Sequence, residues 1–375
     1  MAYLRKLMTF VFMAMLAISA QAQSLLRTSV FISGAEGYLN YRIPAIITTK
    51  SGVLLAFAEA RKNSSADTGD IDLVMKKSAD GGKTWSSLQV IWDDGENVCG
   101  NPVPVVDREG GKIVLVACWN NGQDLEKNII AGTSSGTRRV FVLSSNDEGS
   151  TWSKPLEITS SVKKDNWTWY ATGPCHGIQL QGKKHRGRIV IPANHITAMP
   201  EKAYRSHCIY SDDKGETWHL GGTAEGEGNE STAAELRNGG IMLNMRNYNR
   251  QAGKCRIVAI SKDGGDCFQT AYLDRALIEP RCQGSLLNYT PKGKLSKTLL
   301  FSNPASETKR NNMTISISHN QGKSWKKKVL VYLGQAAYSD MIVLPSGEVG
   351  ILYENGVNDL YERITFETFP SQLFH

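Results

Sequence analysis

Beyond residues 1–22 the chain holds no apolar run near the roughly 18 residues that a membrane-spanning helix needs. It also lacks any Cys-x-x-Cys pair. Its seven cysteines (Cys99, Cys118, Cys175, Cys208, Cys255, Cys267 and Cys282) are odd in number and scattered, which gives no zinc-site spacing and no disulfide framework. They are expected to be mostly buried free thiols. No Pro- or Ser-rich stretch divides the middle of the chain, so residues 23–375 are expected to form one domain. Charge of one sign is scarce too: 43 Lys and Arg face 36 Asp and Glu, for a formal net charge of +7. Those charges are dispersed, which argues against a nucleic-acid groove. Convincing helical periods are few.

The one long apolar run lies at the start. Arg5 and Lys6 precede LMTFVFMAMLAISA, and Ala20-Gln21-Ala22 follows, the order of a secretory signal peptide over residues 1–22. No cysteine follows that run, so a lipoprotein anchor is not expected. The expected location is secreted or periplasmic.

A repeat organises what remains. Ser78-Ala-Asp-Gly-Gly-Lys-Thr-Trp85 recurs from Ser145 to Trp152 and from Ser211 to Trp218, with looser copies at Ser261–Phe268 and Ser318–Trp325. The copies start 67, 66, 50 and 57 residues apart. Asp and Ser hydrogen-bond neighbouring backbone amides, Gly accepts a positive φ, and the Trp packs back over the turn; the octet reads as a hairpin turn. An active site occurs once, so the acids that recur with this turn, in four of the five copies, are read as structural. β-rich runs such as VFVLSS, HCIYS, CRIVAIS and MTISIS flank the octets. Each repeat has room for four short strands, which predicts an all-β fold, a β-propeller of six blades.

Function is expected where the repeats differ. Three arginines lie far apart in similar apolar contexts: Arg42 in YRIPAI, Arg246 in IMLNMRN and Arg310 in KRNNMTI. In separate blades of a radial fold they can converge on one anion, and the guanidinium fork suits a carboxylate.

With these arginines in view, the sequence resembles the sialidases, particularly the bacterial exo-α-sialidases. YRIP, AFAEAR ending at Arg61, Asp67, the repeated Asp boxes, GNES around Glu230, LNMR, RNNM, AAYS and ILYENG carry the resemblance across almost the whole chain. It implies that Arg42, Arg246 and Arg310 grip a sialic acid carboxylate and that Glu354 holds the first of them. It implies that Tyr338 is the nucleophile with Glu230 as its partner, that Asp67 is the general acid and base, and that Arg61 lies near the sugar's 4-hydroxyl. Sialic acid bears a carboxylate on its anomeric carbon, so an attacking Asp or Glu would meet like charge, whereas tyrosine is neutral until deprotonated. Asp67 needs a raised pKa to protonate the leaving oxygen, which burial under substrate can supply. Asp70 and Asp72 are its rivals on composition.

Asn101 in GNPVP stands where relatives carry an aspartate on the sugar's N-acyl side. Trp119 in CWNN and Gln283 in RCQGS resemble pocket-lining positions, for apolar contact with the N-acyl group and for polar contact respectively. The adjacent Cys175 and His176 point to opposite faces of a strand and do not form a nucleophile pair. Of five Asn-x-Ser/Thr sequons, Asn63 and Asn229 fall beside the catalytic loops, where a glycan would block the site. The implied function is retaining hydrolysis of terminal sialic acids from sialylated glycoconjugates, with no cofactor and no metal. Transfer to a sugar acceptor or an anhydro product is the alternative on the same site, and a non-catalytic sialoside-binding propeller is the alternative of another class.

Overall fold

β-Branched and alternating segments become strands almost throughout the computed structural model, which describes residues 24–291 and 293–375. The expected signal peptide lies outside the described residues. Two short helices, Glu126–Ala131 and Thr159–Val162, interrupt the strands. No helix among the described residues is long and apolar enough to cross a membrane.

The strands pair mostly with their neighbours in the chain. Asn40–Thr48, Leu54–Arg61, Ile71–Ser78 and Gln89–Trp92 are antiparallel in that order. A single parallel bridge, Ile71 with Val98, joins them to Val98–Val106, Ile113–Asn120, Arg139–Ser145 and Leu156–Glu157. The next sheet runs Trp167–Thr172, Ile189–Thr197, Tyr204–Ser211 and His219–Thr223, with Ile178–Gln179 beside it. Gly228–Glu235, Ile241–Asn247, Cys255–Ser261 and Tyr272–Ile278 form a sheet of four. The last sheet has seven strands, from Ser285–Asn288 through Leu299–Pro304, Asn311–Ser318, the long Lys327–Val343 and Val349–Gly356 to Arg363–Phe369. Its outer member is Leu26–Ile32, so the first described strand closes on the last.

The long strand changes partners in its middle. Up to Gln335 it pairs with Asn311–Ser318, and from Gln335 onward with Val349–Gly356. Apolar clusters fill the space between successive groups; Val103, Val116 and Val142 pack with Ile189, Ile191 and Trp218. That burial is the main stabilising term of the fold.

All five octets fold as the same turn. In the first, Gly82 N donates to Ser78 Oγ (2.8 Å), Thr84 N to Asp80 Oδ1 (2.9 Å) and Trp85 Nε1 to Gly82 O (3.1 Å). The looser copies keep the Gly-to-Ser bond, at Gly265 to Ser261 and Gly322 to Ser318. The Thr151 hydroxyl and amide, with the Ser145 hydroxyl, hold the Asp147 carboxyl down at about 2. Six of the seven cysteines are buried, Cys267 is exposed, and all are free thiols.

Candidate active site

Four of the predicted side chains sit where strand register slips. The pairing shifts between Arg42 and Ala45, between Gly100 and Val103, between Gly228 and Ser231, and between Ala336 and Ser339. These irregularities lie at Arg42, Asn101, Glu230 and Tyr338. A bulge bends its strand and re-aims one side chain, here from sheet face into a shared cavity. Ile43 (φ 58°) and Asn101 (φ 54°) take left-handed backbone at two of them. Asn tolerates that conformation; a β-branched Ile does so only under strain.

The cavity holds about 270 Å³ and is lined by Arg42, Arg61, Asp67, Asn101, Glu230, Arg246, Arg310 and Tyr338 together with residues the sequence did not single out. Three cations surround one phenol. The Arg42 and Arg310 guanidinium centres lie 5.1 and 5.5 Å from the Tyr338 ring centroid, and Arg246 Nη1 donates to the Tyr338 oxygen at 3.0 Å. The Tyr338 hydroxyl donates to Glu230 Oε1, and Arg246 Nη1 also bonds Glu230 Oε2 at 2.6 Å. Burial pushes the Tyr338 hydroxyl far up and the Glu230 charge adds to it, against the pull of Arg246, Arg310 and Arg42. Among the described residues, the buried Arg42 Nη2 and Arg246 Nε make no hydrogen bond. Buried donors of this kind call for an anionic acceptor.

Glu354 lies behind the cavity, fully buried. It accepts from Arg42 Nε (3.2 Å), Ile43 N (2.9 Å) and Tyr338 N (3.0 Å), so one carboxylate ties the arginine strand to the tyrosine strand.

Two arginines set the titration of Asp67. Its Oδ1 lies 2.7 Å from Arg61 Nη2 and 3.4 Å from Arg42 Nη1, while its side chain stays 63% exposed. Burial raises its pKa, but Arg61 and Arg42 outweigh that and hold the carboxyl below its ordinary value. The rival Asp72 is the acid that burial pushes up, to about 6, and it bonds the Tyr38 hydroxyl rather than facing the cavity.

The sequence matches the family model described as a BNR repeat-like domain over residues 52–351. A sialidase of Micromonospora viridifaciens is 34% identical over 348 residues, which cover 88% of this chain and 52% of that protein. An exo-alpha-sialidase of Aspergillus fumigatus is 31% identical, over 86% of this chain and 80% of that protein. The chain belongs to the sialidase family. Among solved structures, Hadza microbial sialidase Hz136 superposes with a TM-score of 0.83 at 30% identity, over 93% of this chain and 69% of that one. The chain thus spans about half the length of the Micromonospora relative.

Within this sialidase-family cavity two expected residues are missing. Trp119 is turned away: its indole donates to Asp94 Oδ2 at 2.7 Å and its ring lies 5.0 Å from the Arg139 guanidinium. Gln283 is buried among backbone groups, donating to Pro174 O and Ser339 O and accepting from Ser339 N, each at 3.0 Å. It braces the Tyr338 strand rather than lining the cavity. The tryptophan that does line it is Trp169, beside Arg138, Glu59, Asn194 and Tyr361. Trp169 is buried like most of its neighbours in WTWYAT, and nothing local distinguishes it from a core tryptophan. Glu59 was legible in principle, as an acid inside the apolar run AFAEAR.

Two residues beyond the nucleophile candidate, Asp340 is fully buried and accepts from Ile46 N, His176 N, the His176 ring at 2.6 Å and Ser285 Oγ. Burial lowers the His176 pKa, but Asp340 more than offsets this, so it is raised above its ordinary value. Folding then takes up a proton as pH rises past the unfolded value. The contribution is full below about pH 6.5 and is lost as pH climbs through the raised native pKa. Urea unfolding from pH 6 to 9 is expected to show stability falling with this slope, and His176→Asn is expected to flatten it; an unchanged slope in the variant assigns the effect elsewhere.

Proposed function

We propose that the protein is an exo-α-sialidase that removes terminal α-linked sialic acids from glycoconjugates with retention of configuration. The observation that carries this reading is the contact set of Tyr338, Glu230 and Arg246 beneath three converging arginines. Arg42, Arg246 and Arg310 take the substrate carboxylate, satisfying Arg42 Nη2 and Arg246 Nε.

The Tyr338 proton passes to Glu230 along their hydrogen bond, and the phenolate oxygen attacks the anomeric carbon. The bond to the leaving oxygen breaks as Asp67 donates its proton there. In the second half Asp67 takes a proton from water, which displaces the phenolate from the anomeric carbon, and Glu230 returns the proton to Tyr338. Asp67 begins with a depressed pKa because Arg61 and Arg42 face it. A bound carboxylate on Arg42 weakens that pull and adds its own negative charge, which moves Asp67 toward the protonated form the first half requires.

Six blades remain our reading of the architecture. The pairing supports it: the parallel bridge at Ile71 divides the eight-stranded sheet into two sets of four, and the partner change at Gln335 divides the seven strands likewise. With the two smaller sheets this gives six sets, the last completed by Leu26–Ile32. One domain over 23–375 and export by the leader belong to the same reading.

The deciding experiment is release of fluorophore from an α-sialoside, followed by NMR of the first sugar anomer formed. Release of the α-anomer supports the retaining sialidase, and absence of release refutes the enzymatic reading. Mass spectrometry of the products separates hydrolysis from transfer or anhydro formation.

A further inference from the structure

One pair of buried titratable groups has no part in the mechanism above. His195 on the strand Ile189–Thr197 and His207 on the strand Tyr204–Ser211 are 3% and 0% exposed, and their Nδ1 atoms lie 3.0 Å apart. The Trp167 indole stacks on the His195 ring, with centroids 3.4 Å apart and planes 6° apart, and His207 Nε2 lies 3.2 Å from the Tyr170 hydroxyl. Trp167 and Tyr170 belong in turn to the apolar cluster that holds Val116, Val140, Ile191 and Ile209.

Two ring nitrogens at hydrogen-bond distance need one proton between them, so one imidazole donates and the other accepts. The neutral pair meets that need. A first added proton places a cation in the apolar cluster, and a second sets N–H against N–H, which the contact cannot hold. Nothing nearby compensates. The charges that act on the rings are Lys164, whose ammonium lies 5.8 Å from the Trp167 ring centroid, and Arg205 on the strand of His207; both are positive, and no carboxylate is among them. The other titratable groups here are the Tyr170 phenol and the Cys118 and Cys208 thiols beside it. Burial, helped by those cations, pushes His195 down to about 3 and His207 well below its ordinary value.

The same two strands seat Glu230. Asn194, which lines the cavity, accepts from Asn229 Nδ2 at 3.2 Å, and the Ser206 hydroxyl donates to Asn229 O at 2.6 Å. Asn229 is the residue before Glu230. Alternation along a strand sets Asn194 and Ser206 on the face opposite His195 and His207, so parting the rings disturbs both contacts to Asn229.

We propose that His195 and His207 form an acid-sensitive latch: the neutral pair holds the two strands together, and proton uptake parts them and withdraws Glu230 from Tyr338, so that turnover stops reversibly in acid. The loss of turnover rests on the sialidase reading above; the parting of the strands does not. Parted rings bind protons below about pH 6.5 and the native pair does not, so the latch is complete above that value and is lost as pH falls.

The test follows near-ultraviolet circular dichroism and fluorophore release from a 4-methylumbelliferyl α-sialoside between pH 8 and pH 4, in the wild type, His195→Phe and His207→Gln. In the wild type both signals are expected to fall together below about pH 6, with a dependence of at least two protons, and to return at pH 7. Each variant keeps one titrating ring, so its dichroism transition is expected to be one proton shallower, about tenfold less per pH unit. Where a variant yields no soluble protein, proton NMR of the wild type decides: two of the seven histidines are expected to take up protons only within the transition. An equally steep transition in both variants, seven histidines that all titrate above it, or turnover lost with dichroism unchanged overturns the latch and leaves the sialidase reading standing. Dichroism lost as expected, with no fluorophore released at any pH, keeps the latch and overturns the sialidase reading.

Discussion

Tyr338→Phe is expected to lower turnover of an α-sialoside by about a thousandfold while leaving the fold intact. The ring stays, and with it the stacking of Arg42 and Arg310 at 5.1 and 5.5 Å. Glu230 keeps its 2.6 Å bond to Arg246, so no buried charge is left without a partner. The stability cost is then that of two hydrogen bonds, the one donated to Glu230 and the one accepted from Arg246, about 1 kcal/mol each. Activity is expected to lose much more, because the oxygen proposed to form the covalent bond is gone. Glu230→Gln is expected to fall by a similar factor for another reason: an amide cannot take the phenol's proton, and burial and neighbouring charge set the Tyr338 pKa far above neutral. The double variant should then be little worse than either single one, since each blocks the same step. A mechanism-based fluorosialoside checks the assignment by mass, with the adduct expected on Tyr338 in the wild type and absent in Tyr338→Phe. An adduct on any other residue refutes it.

The octets were legible in the sequence because each closes within eight residues; Ser, Asp, Gly and Trp meet one another without help from the rest of the chain. The same locality predicted the flanking strands. The arginines, Tyr338 and Glu230 were legible by resemblance and by their odd company, Arg42 above all, set between Tyr41 and Ile43 in a fully buried strand segment. Register is another matter. The slips at Arg42, Gly100, Gly228 and Ala336 depend on partners distant in the chain, and no local pattern predicts which residue an irregular strand re-aims. For that reason Trp119 was expected in the cavity and Trp169 was not. Both are aromatic residues in short β-rich runs, and only the pairing of their strands decides which ring reaches the cavity. Arg138 was hidden similarly, next to Arg139 in a doublet that reads as surface charge. Asp67 shows the limit for electrostatics: burial favours a raised pKa, yet two arginines brought in by the fold reverse the sign.

Glu354→Leu is expected to cost about 3–5 kcal/mol of folding stability, the range for breaking a buried ion pair at one partner. Three donors lose their acceptor together: Arg42 Nε, Ile43 N and Tyr338 N. Of its ion pairs Arg42, 6% exposed, keeps only the longer 3.4 Å one with exposed Asp67. The backbone adds to the loss. Ile43 holds φ at 58°, and the bond from its N–H to Glu354 is a direct restraint on that strained conformation. Without it Ile43 is free to relax to negative φ, which turns Arg42 away from the Tyr338 ring. Capture of the carboxylate should therefore suffer even in the fraction of Glu354→Leu that folds, as a raised KM measured at low temperature. Glu354→Gln separates the two effects. Its amide oxygen can keep one backbone donor while the charge opposite Arg42 is lost, so its stability is expected to fall between wild type and Glu354→Leu. Urea unfolding of the three proteins reads this order directly. A Glu354→Leu loss below about 1 kcal/mol, the value of one ordinary hydrogen bond, would mean that the two strands are held together by packing alone.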